Sequence, residues 1–373
     1  MPAILFVATV DTHVEKFHLP YLQWFKEQGW EVHVAARGER ELPYVDRKIN
    51  IPFERSPFKR GNLRVYRELS ELIDREGYQV IHCHTPMGGM LARLAGWKAR
   101  KSGTKMLYTA HGFHFCKGAP MLNWLLYYPI EKGLSRLTDC LITINAEDYR
   151  LAQARHFRAS EIARVPGVGI PTERYRPLGP EEKSERRQEL GLPKEELLLF
   201  YAAEFNKNKN QQLLLQALER LKERVPSVRL LLAGSGPLLP ACRELADRLQ
   251  VADRVEFLGY RDDIMRILPA CDIAVASSLR EGLPVNIMEA MASGLPIVAT
   301  SNRGHDELVK DGENGYLVAP GDAAAMADRL EELLLSEEAR KRMGETGLHL
   351  VGAYSVQEVK QQLGQIYARY AWV

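Results

Sequence analysis

The chain has 373 residues, of which 46% are hydrophobic and 26% charged, and this composition is typical of a globular protein. Its length exceeds that of one ordinary core and predicts two domains of about 150–200 residues each. A formal net charge of +2 lacks the basic excess of dedicated nucleic-acid binders, so we expect no nucleic-acid partner. The five scattered cysteines form no C-x-x-C pair, which favours reduced thiols in the cytosol. No basic leader and no apolar run of the ~18–20 residues that span a bilayer is present, so we expect a soluble or peripheral protein.

Short apolar runs, each followed by a longer amphipathic segment, recur in both halves of the chain. The first half contains "AILFVAT", "EVHVAAR", "VIHCH", "MLYTAHG" and "CLITIN". The second half contains "LLLFYAAEF", "VRLLLAGSG", "VEFLGY", "IAVASS", "LPIVAT" and "GYLVAP". Continuous apolar strands imply burial on both faces, and therefore parallel sheets covered by helices. The alternation predicts an α/β architecture of two doubly wound, Rossmann-like domains.

The proline-rich and charged stretch "GIPTERYRPLGPEEKSERRQEL" has the composition of a linker. We therefore predict a first domain over 1–175 and a second domain over 180–354. One more amphipathic helix is predicted at 355–373; we group it with the first domain, although the sequence leaves its packing partner open. Ligands of such sheets bind beyond the carboxyl ends of the strands, so two facing domains would form a cleft lined by strand ends.

Three strand ends in the second half carry residues that suit a nucleotide. In "LLAGSGP", Gly234 and Gly236 would let the backbone approach a ligand closely, although an ordinary turn explains them as well. Tyr260, after the strand "VEFLG", offers a flat side chain to a base, and the alternative is a simple turn capped by a following aspartate. Lys207 and Lys209 precede a helix whose amino end attracts anions, which favours a phosphate site over mere solvation.

The segment "EGLPVNIMEAMASGLPIVAT" places two carboxylates, Glu281 and Glu289, in a stretch that otherwise reads as buried. Pro284 suits the first turn of a helix, and the following amides at 285–287 would then point outward without partners, ready for a phosphate. A buried carboxylate needs hydrogen-bond donors, and sugar hydroxyls are suitable ones. The alternative is a capping acid at 281 and a salt-bridged acid at 289.

This segment resembles the E-x7-E signature of the family 4 retaining glycosyltransferases, which have the GT-B fold. The pieces "NKNKNQQLLLQAL", "LLLAGSGP", "VEFLGYRDDI" and "ELVKDGENGYLVAP" follow the family's order. In the first half, "HCHTPMGGMLARLA", "YTAHGFHF" and "LITINAEDY" resemble the bacterial capsule and exopolysaccharide branch. The resemblance runs from about Ile4 to the last helix, nearly the whole chain.

The resemblance implies a role for each matching residue. Glu289 would bind the ribose hydroxyls of the donor nucleotide, and Glu281 would hold a hydroxyl of the donor sugar near the reacting carbon. Lys209 would hold the diphosphate together with the backbone amides around Val285, Asn286 and Ile287. His111, at a strand end of the first domain, would reach the donor sugar across the cleft; the alternative is a satisfied core histidine.

The function that these roles imply is transfer of a hexosyl or N-acetylhexosaminyl group from a nucleotide sugar, with a UDP-sugar favoured, to a lipid-linked saccharide acceptor. The reaction would retain the anomeric configuration, without a metal and without any cofactor besides the donor substrate. We expect it in surface polysaccharide assembly, in the cytoplasm or at the inner face of the cell membrane. Two alternatives are an isomerase resembling UDP-N-acetylglucosamine 2-epimerase and a non-catalytic protein that binds nucleotide sugars. A hydride-transferring enzyme is disfavoured because no G-x-G-x-x-G opens either half.

Two positions depart from the family pattern. Glu204 stands where many relatives have an arginine, so Lys207 or Arg303 would have to supply the second cation for the phosphates. The first strand ends in "ATVDTHVEKFH" without the paired glycines common at that loop, and Thr12, His13 and His18 occupy the region instead.

Two further patterns in the first half concern a metal site and a membrane-facing surface. The pairs His82–His84 and His111–His114 raise the question of a metal, but no acid or cysteine completes either set, and we predict no metal site. A basic segment followed by an aromatic one predicts a surface for an anionic membrane, the alternative being a solvated helix beside a core helix. Its residues are Arg55, Lys59, Arg60, Arg64, Arg67, Trp124, Tyr127 and Tyr128.

Overall fold

A computed structural model describes residues 1–54, 56–57 and 59–371. The chain divides into two compact units. Unit 1 comprises Met1–Gly169 together with Val356–Val373, and unit 2 comprises Ile170–Ser355.

Unit 1 contains a parallel sheet whose strand order is β3-β2-β1-β4-β5-β6-β7. Its strands are β1 Ala3–Val10, β2 Glu31–Arg37, β3 Arg47–Asn50, β4 Val80–His84, β5 Lys105–Ala110, β6 Cys140–Thr143 and β7 Glu161–Arg164. Its helices are α1 Asp11–Phe17, α2 Leu19–Glu27, α3 Gly61–Glu76, α4 Pro86–Ala95, α5 Trp97–Lys101, α6 Met121–Leu134, α7 Ala146–Ala154 and, from the end of the chain, α16 Val356–Ala371.

The central strands of this sheet are the apolar runs recognised in the sequence, and they are buried on both faces. Seven of the eight residues of β1 are buried, and every residue of β4 is buried. The two edge strands, β3 ("RKIN") and β7 ("EIAR"), escaped the sequence analysis because each is four residues long and half charged. Such short, charged strands are typical of a sheet edge, where unpaired backbone must resist further pairing.

Unit 2 contains a second parallel sheet, with the strand order β10-β9-β8-β11-β12-β13. Its strands are β8 Leu197–Ala202, β9 Val228–Ala233, β10 Val255–Gly259, β11 Ile273–Ala276, β12 Ile297–Thr300 and β13 Gly315–Val318. Its helices are α8 Pro180–Glu189, α9 Gln211–Leu221, α10 Leu239–Arg248, α11 Ile264–Ile267, α12 Val285–Ala292, α13 Arg303–Leu308, α14 Ala323–Leu335 and α15 Glu337–Val351.

The predicted fold class is confirmed: the chain is an α/β protein with two Rossmann-like parallel sheets. The last helix, α16, belongs to unit 1, where Tyr367 is fully buried and its hydroxyl lies 2.8 Å from Nδ1 of His82. Among the described helices, none is both long enough and apolar enough to cross a membrane.

Candidate functional site

The loop after β8 fixes Lys209 at the amino end of α9. The side-chain oxygen of Asn206 accepts hydrogen bonds from the backbone amides of Asn208 and Lys209, both at 3.0 Å. Asn210 then adopts a left-handed conformation, with φ of 49°, and α9 begins at the next residue. From the neighbouring strand, the Ser277 hydroxyl donates to the Lys209 carbonyl at 2.8 Å. The backbone of Lys209 is therefore held by hydrogen bonds with residues that follow two strands, Asn206 after β8 and Ser277 after β11.

The side chain of Lys209 meets the first of the two predicted acids. Its Nζ lies 2.5 Å from Oε1 of Glu281, in an ion pair whose side chains are only 24% and 14% exposed. The carbonyl of Glu281 accepts a hydrogen bond from Nε of Arg303 at 2.8 Å. Because β8, β11 and β12 are neighbours in the sheet, their carboxyl ends bring these three residues together, as parallel strands require.

Helix α12 begins directly after this loop and leaves its amino end open. Pro284 is extended and precedes the helix, which begins at Val285, so the proline stands one residue earlier than the sequence predicted. Among the described residues no side chain caps this end, and the first amides of a helix have no partner within the helix itself. The Asn286 side chain is used internally, because Nδ2 donates to the Ala202 carbonyl at 3.2 Å and ties α12 to β8. The amides at 285–287 therefore lie at an uncapped helix start, and their role as an anion-binding end stays a prediction.

The second acid, Glu289, lies one turn inside α12 and has a partner that the sequence analysis missed. The Tyr175 hydroxyl donates to Oε1 of Glu289 at 2.7 Å. Burial, and then the neighbouring carboxylate, raise the pKa of Tyr175, so its hydroxyl keeps the proton that it donates. The only signal in the sequence was a single aromatic residue inside a stretch that otherwise reads as a polar linker.

Gly234 and Gly236 allow the β9 loop to lie against the β8 loop. Their φ angles are 142° and 151°, a region that side chains rarely adopt. A Cβ atom on Gly234 would lie 2.0 Å from the Ala203 carbonyl oxygen, and one on Gly236 would lie 2.5 Å from that of Phe205. Only glycine at these two positions lets the loop after β9 lie this close to the loop after β8. Tyr260 follows β10 directly, and its side chain is 69% exposed.

The structure also shows what surrounds the departure at Glu204. This side chain is exposed, and its Oε2 accepts a hydrogen bond from Asn206 at 3.0 Å. Of the two replacement cations that were considered, Lys207 is exposed, whereas Arg303 lies against the Glu281 carbonyl. Arg303 is therefore the second cation that the structure places beside the Lys209–Glu281 pair.

In unit 1, His111 follows β5 and is one of four histidines whose side chains meet. Its Nε2 lies 3.3 Å from Nε2 of His13 and 3.3 Å from Nδ1 of His84, and His18 stacks on His84. Thr12 and His13 belong to α1, which begins at Asp11 without an intervening loop, and this explains the missing glycines.

The histidine pairs considered from the sequence do not describe this group. His82 bonds to Tyr367 and Thr109, and His114 packs against Tyr127. The structure instead joins His84 and His111 to two histidines from the segment after β1. Of the four histidines considered from the sequence, only His84 and His111 belong to this group.

The aromatic residues expected on a membrane-facing surface lie elsewhere. Trp124, Tyr127 and Tyr128 of α6 pack against the core of unit 1. The exposed face of α6 is aliphatic instead, formed by Met121, Leu122, Leu125, Leu126 and Ile130. Lys59, Arg60, Arg64 and Arg67 are exposed, and Arg55 lies outside the described residues.

Comparisons with known proteins identify the class of this fold and site. The family described as "Glycosyl transferases group 1" matches residues 182–349, and "Glycosyl transferase 4-like domain" matches residues 16–167. The solved structure of Anabaena HepE in complex with UDP and glucose superimposes with a TM-score of 0.82 at 20% identity, over 99% of this chain and 100% of that one. Two Rossmann-like parallel sheets of this kind form the GT-B fold.

Two relatives make the assignment more specific. "Putative glycosyltransferase EpsD" of Bacillus subtilis (strain 168) is 50% identical over 367 residues, which cover 98% of this chain and 96% of the relative. An Escherichia coli enzyme, "UDP-Gal:alpha-D-GlcNAc-diphosphoundecaprenol alpha-1,3-galactosyltransferase", is 27% identical and covers 85% of this chain and 83% of its own. The chain belongs to family 4 of the GT-B glycosyltransferases.

Proposed function

We propose that this glycosyltransferase moves a hexosyl or N-acetylhexosaminyl group from a UDP-sugar to a lipid-linked saccharide, with retention of the anomeric configuration. The observation that carries the proposal is the Lys209–Glu281 ion pair beside the open amino end of α12. A cation, a row of free amides and a carboxylate at one sheet edge suit a sugar diphosphate better than any neutral ligand.

The leaving group explains the need for fixed positive charge. Breaking the bond between the sugar and the diphosphate builds negative charge on the phosphate oxygens. Lys209 and the amides at 285–287 would stabilise that charge, and Arg303 would supply the second cation. We propose that the transfer step itself proceeds without a metal, the departing phosphate taking the acceptor's proton on the same face of the sugar.

The two acids would bind different parts of the donor, the sugar and the ribose. Glu281 would accept a hydrogen bond from a donor-sugar hydroxyl through the oxygen that does not face Lys209. Glu289, held by Tyr175, would accept from the ribose hydroxyls, and Tyr260 would contact the base. Gly234 and Gly236 would keep the loop over the phosphates in place. His111 remains our proposed donor contact from unit 1, through Nδ1, because its Nε2 faces His13 and His84.

The relatives support the donor and the acceptor. HepE was solved with UDP and glucose, and the E. coli relative is named for a UDP-galactose donor and a diphosphoundecaprenol-linked acceptor. We therefore infer a role in surface polysaccharide assembly, in the cytoplasm at the inner face of the membrane. The relatives are named as transferases, which disfavours the isomerase and the non-catalytic alternatives.

Calorimetry with UDP tests the assignment of the phosphate site. Lys209→Met should weaken UDP binding about 10–100-fold, because a charge-assisted hydrogen bond contributes about 1.5–3 kcal/mol. Lys207→Met, a matched change two residues earlier in the same loop, should alter the affinity little. If the Lys207 variant loses affinity and the Lys209 variant keeps it, the proposed phosphate ligand is wrong.

The two acids should behave differently in the same assays. Glu289→Gln should weaken UDP binding, whereas Glu281→Gln should leave UDP binding largely intact and slow the transfer of sugar. Unchanged UDP affinity in the Glu289 variant would remove the ribose assignment.

We place the lipid-linked acceptor on unit 1, at α6. The exposed aliphatic face of this helix includes Leu125, which is 67% exposed. Beside it lies a cavity of about 330 Å³ whose lining includes Pro57, Met90, Tyr127 and Ile130. Unit 1 thus carries an exposed apolar helix face and exposed lysine and arginine side chains, and both suit the surface of an anionic membrane.

Co-sedimentation with liposomes tests this placement. The wild-type protein should pellet with vesicles of phosphatidylglycerol at low salt, and Leu122→Glu/Leu125→Glu should abolish pelleting without loss of UDP affinity. Equal pelleting of the variant, or no pelleting of the wild type, would contradict the membrane role of α6.

A further inference from the structure

The four histidines of unit 1 come together because three neighbouring strands end at the same edge. His13 and His18 follow β1, His84 is the last residue of β4, and His111 is the first residue after β5. The order β1-β4-β5 places these three strand ends side by side. Among the described residues, one nitrogen atom of each ring lies within 4.8 Å of those of the other three.

Two separations within this four-histidine cluster match those of a coordination shell. Nε2 of His111 lies 3.3 Å from a nitrogen of His13 and 3.3 Å from a nitrogen of His84. Zinc–imidazole bonds of about 2.0–2.1 Å in a tetrahedron place neighbouring nitrogen atoms about 3.3–3.4 Å apart. Both separations have this value, and the other pairs of ligand nitrogen atoms lie within 4.8 Å of each other.

Hydrogen bonding alone does not account for the arrangement. A ring nitrogen either carries one hydrogen or offers one lone pair, so Nε2 of His111 serves only one of its two neighbours well. Nε2 of His18 and Nε2 of His84 are buried and have no hydrogen-bond partner among the described residues. A buried polar atom left unpaired costs about 1–3 kcal/mol, and coordination of a metal through Nε2 of His18 would give that atom a partner. His84 would use Nδ1, the nitrogen that faces His111.

The protonation state suits coordination as well. Burial lowers the pKa of His13 to about 4 and lowers the pKa of His18, His84 and His111 well below the usual range of histidine. Neutral imidazoles are the form that binds transition metals. Four protonated rings this close would repel one another.

We propose that His13, His18, His84 and His111 bind a divalent transition-metal ion, with Zn²⁺ as the ion that fits a site of four imidazoles. This proposal goes beyond the transferase activity. His111 is also our proposed donor contact, so the test below uses the metal alone and no sugar donor. Bound metal would join the segment after β1 to the ends of β4 and β5 and stabilise unit 1.

Metal binding can be measured without any sugar donor. The protein is produced with a histidine-free affinity tag, stripped with a chelator, and titrated with Zn²⁺ against a chromophoric competitor. We expect one equivalent of Zn²⁺ per chain, and Co²⁺ should give the strong visible absorption of tetrahedral nitrogen coordination. His18→Gln and His84→Gln should each weaken binding beyond the ~10–100-fold that changes outside a coordination shell typically cause.

His82→Gln is the matched control. His82 is equally buried and its ring centre lies 4.1 Å from that of His84, but both of its nitrogen atoms already have hydrogen-bond partners. This variant should keep its equivalent of Zn²⁺, and tryptophan fluorescence should show that all variants are folded. Absence of Zn²⁺ binding and of tetrahedral Co²⁺ absorption in the wild type would overturn the proposal. So would full binding in both ligand variants.

Discussion

At the scale of single residues, the site in unit 2 depends on polar contacts that hold its charged groups in place. Lys209 is held by Asn206 and Ser277 through its backbone, which leaves its ammonium group to Glu281. Glu289 is held by the hydroxyl of Tyr175. A group that is already oriented loses less conformational entropy when a ligand binds, so these contacts should contribute to donor affinity.

Tyr175→Phe removes only the hydroxyl that orients Glu289. We expect UDP binding to weaken about tenfold, since a hydrogen bond to a charged group contributes about 1.5–3 kcal/mol and part of that remains available from water. Calorimetry with UDP measures the change. Tyr316→Phe is the control. Tyr316 lies on the edge strand β13, and its hydroxyl forms a similar hydrogen bond to the carboxylate of Glu332 on α14. Equal losses in both variants would show that Tyr175 acts only through stability.

Sequence reasoning reached the charged residues of the site but not the groups that position them. Glu281 and Glu289 stand out in the sequence as carboxylates in a stretch that otherwise reads as buried, and Lys209 stands out as a lysine before the amino end of a helix. Tyr175 was missed because a tyrosine that is distant in sequence shows no sign of its partner. The histidine cluster was missed for the same reason, since His13 and His18 meet His84 and His111 only after three strands align.

At the scale of secondary-structure elements, the loops after β8 and β9 pack backbone against backbone. The amide of Phe205 donates to the Ser235 carbonyl at 2.9 Å, and the amide of Leu238 donates to the Phe205 carbonyl at 3.0 Å. Contact this close requires glycine at 234 and 236, and it places the β9 loop directly beside the segment that carries Lys209.

Gly234→Ala should therefore destabilise unit 2 by about 2–5 kcal/mol, through unfavourable φ and steric overlap with the Ala203 carbonyl. Gly259→Ala, also at positive φ but with no atom near the new Cβ, should cost only about 1–2 kcal/mol. Hydrogen exchange of β8 measures the difference. Equal protection in the two variants would contradict the packing argument.

The elements themselves were largely predictable, and the exceptions have a common cause. The eleven apolar runs recognised in the sequence all form strands. Most of these strands are buried along most of their length, which leaves a continuous hydrophobic signal, whereas β10 lies at a sheet edge and is only partly buried. The strands β3 and β7 carry no such signal, since each lies at a sheet edge and is half charged. The start of helix α12 was predicted one residue too early, at Pro284, because proline is compatible with both the N-cap and the first turn of a helix.

At the scale of the whole molecule, the chain returns to its first unit through α16. Val359, Leu363, Ile366 and Tyr367 form the buried face of this helix. Unit 1 is therefore assembled from both ends of the chain, and its stability depends on residues that lie far apart in sequence.

Tyr367→Phe should destabilise unit 1 by about 1–3 kcal/mol, because it leaves Nδ1 of buried His82 without a partner. Tyr370→Phe on the same helix should cost less, since Glu161, its partner, is partly exposed and water can replace the hydroxyl. The four described tryptophans (Trp24, Trp30, Trp97 and Trp124) lie in unit 1, and residues 170–355 contain no tryptophan. Fluorescence during urea denaturation therefore reports on unit 1. A larger loss at Tyr370 than at Tyr367 would contradict the proposed packing of α16.

We propose that this chain breaks the sugar–diphosphate bond of a UDP-sugar with the help of Glu281 and Lys209. The most direct measurement is the release of UDP from a panel of UDP-, GDP- and ADP-sugars, with and without a lipid-linked saccharide, by the wild type and by Glu281→Gln. We predict UDP release from at least one UDP-sugar, faster with acceptor, and strongly reduced in the variant although it still binds UDP. Absence of nucleotide release from every donor, or release that Glu281→Gln leaves unchanged, would contradict the account.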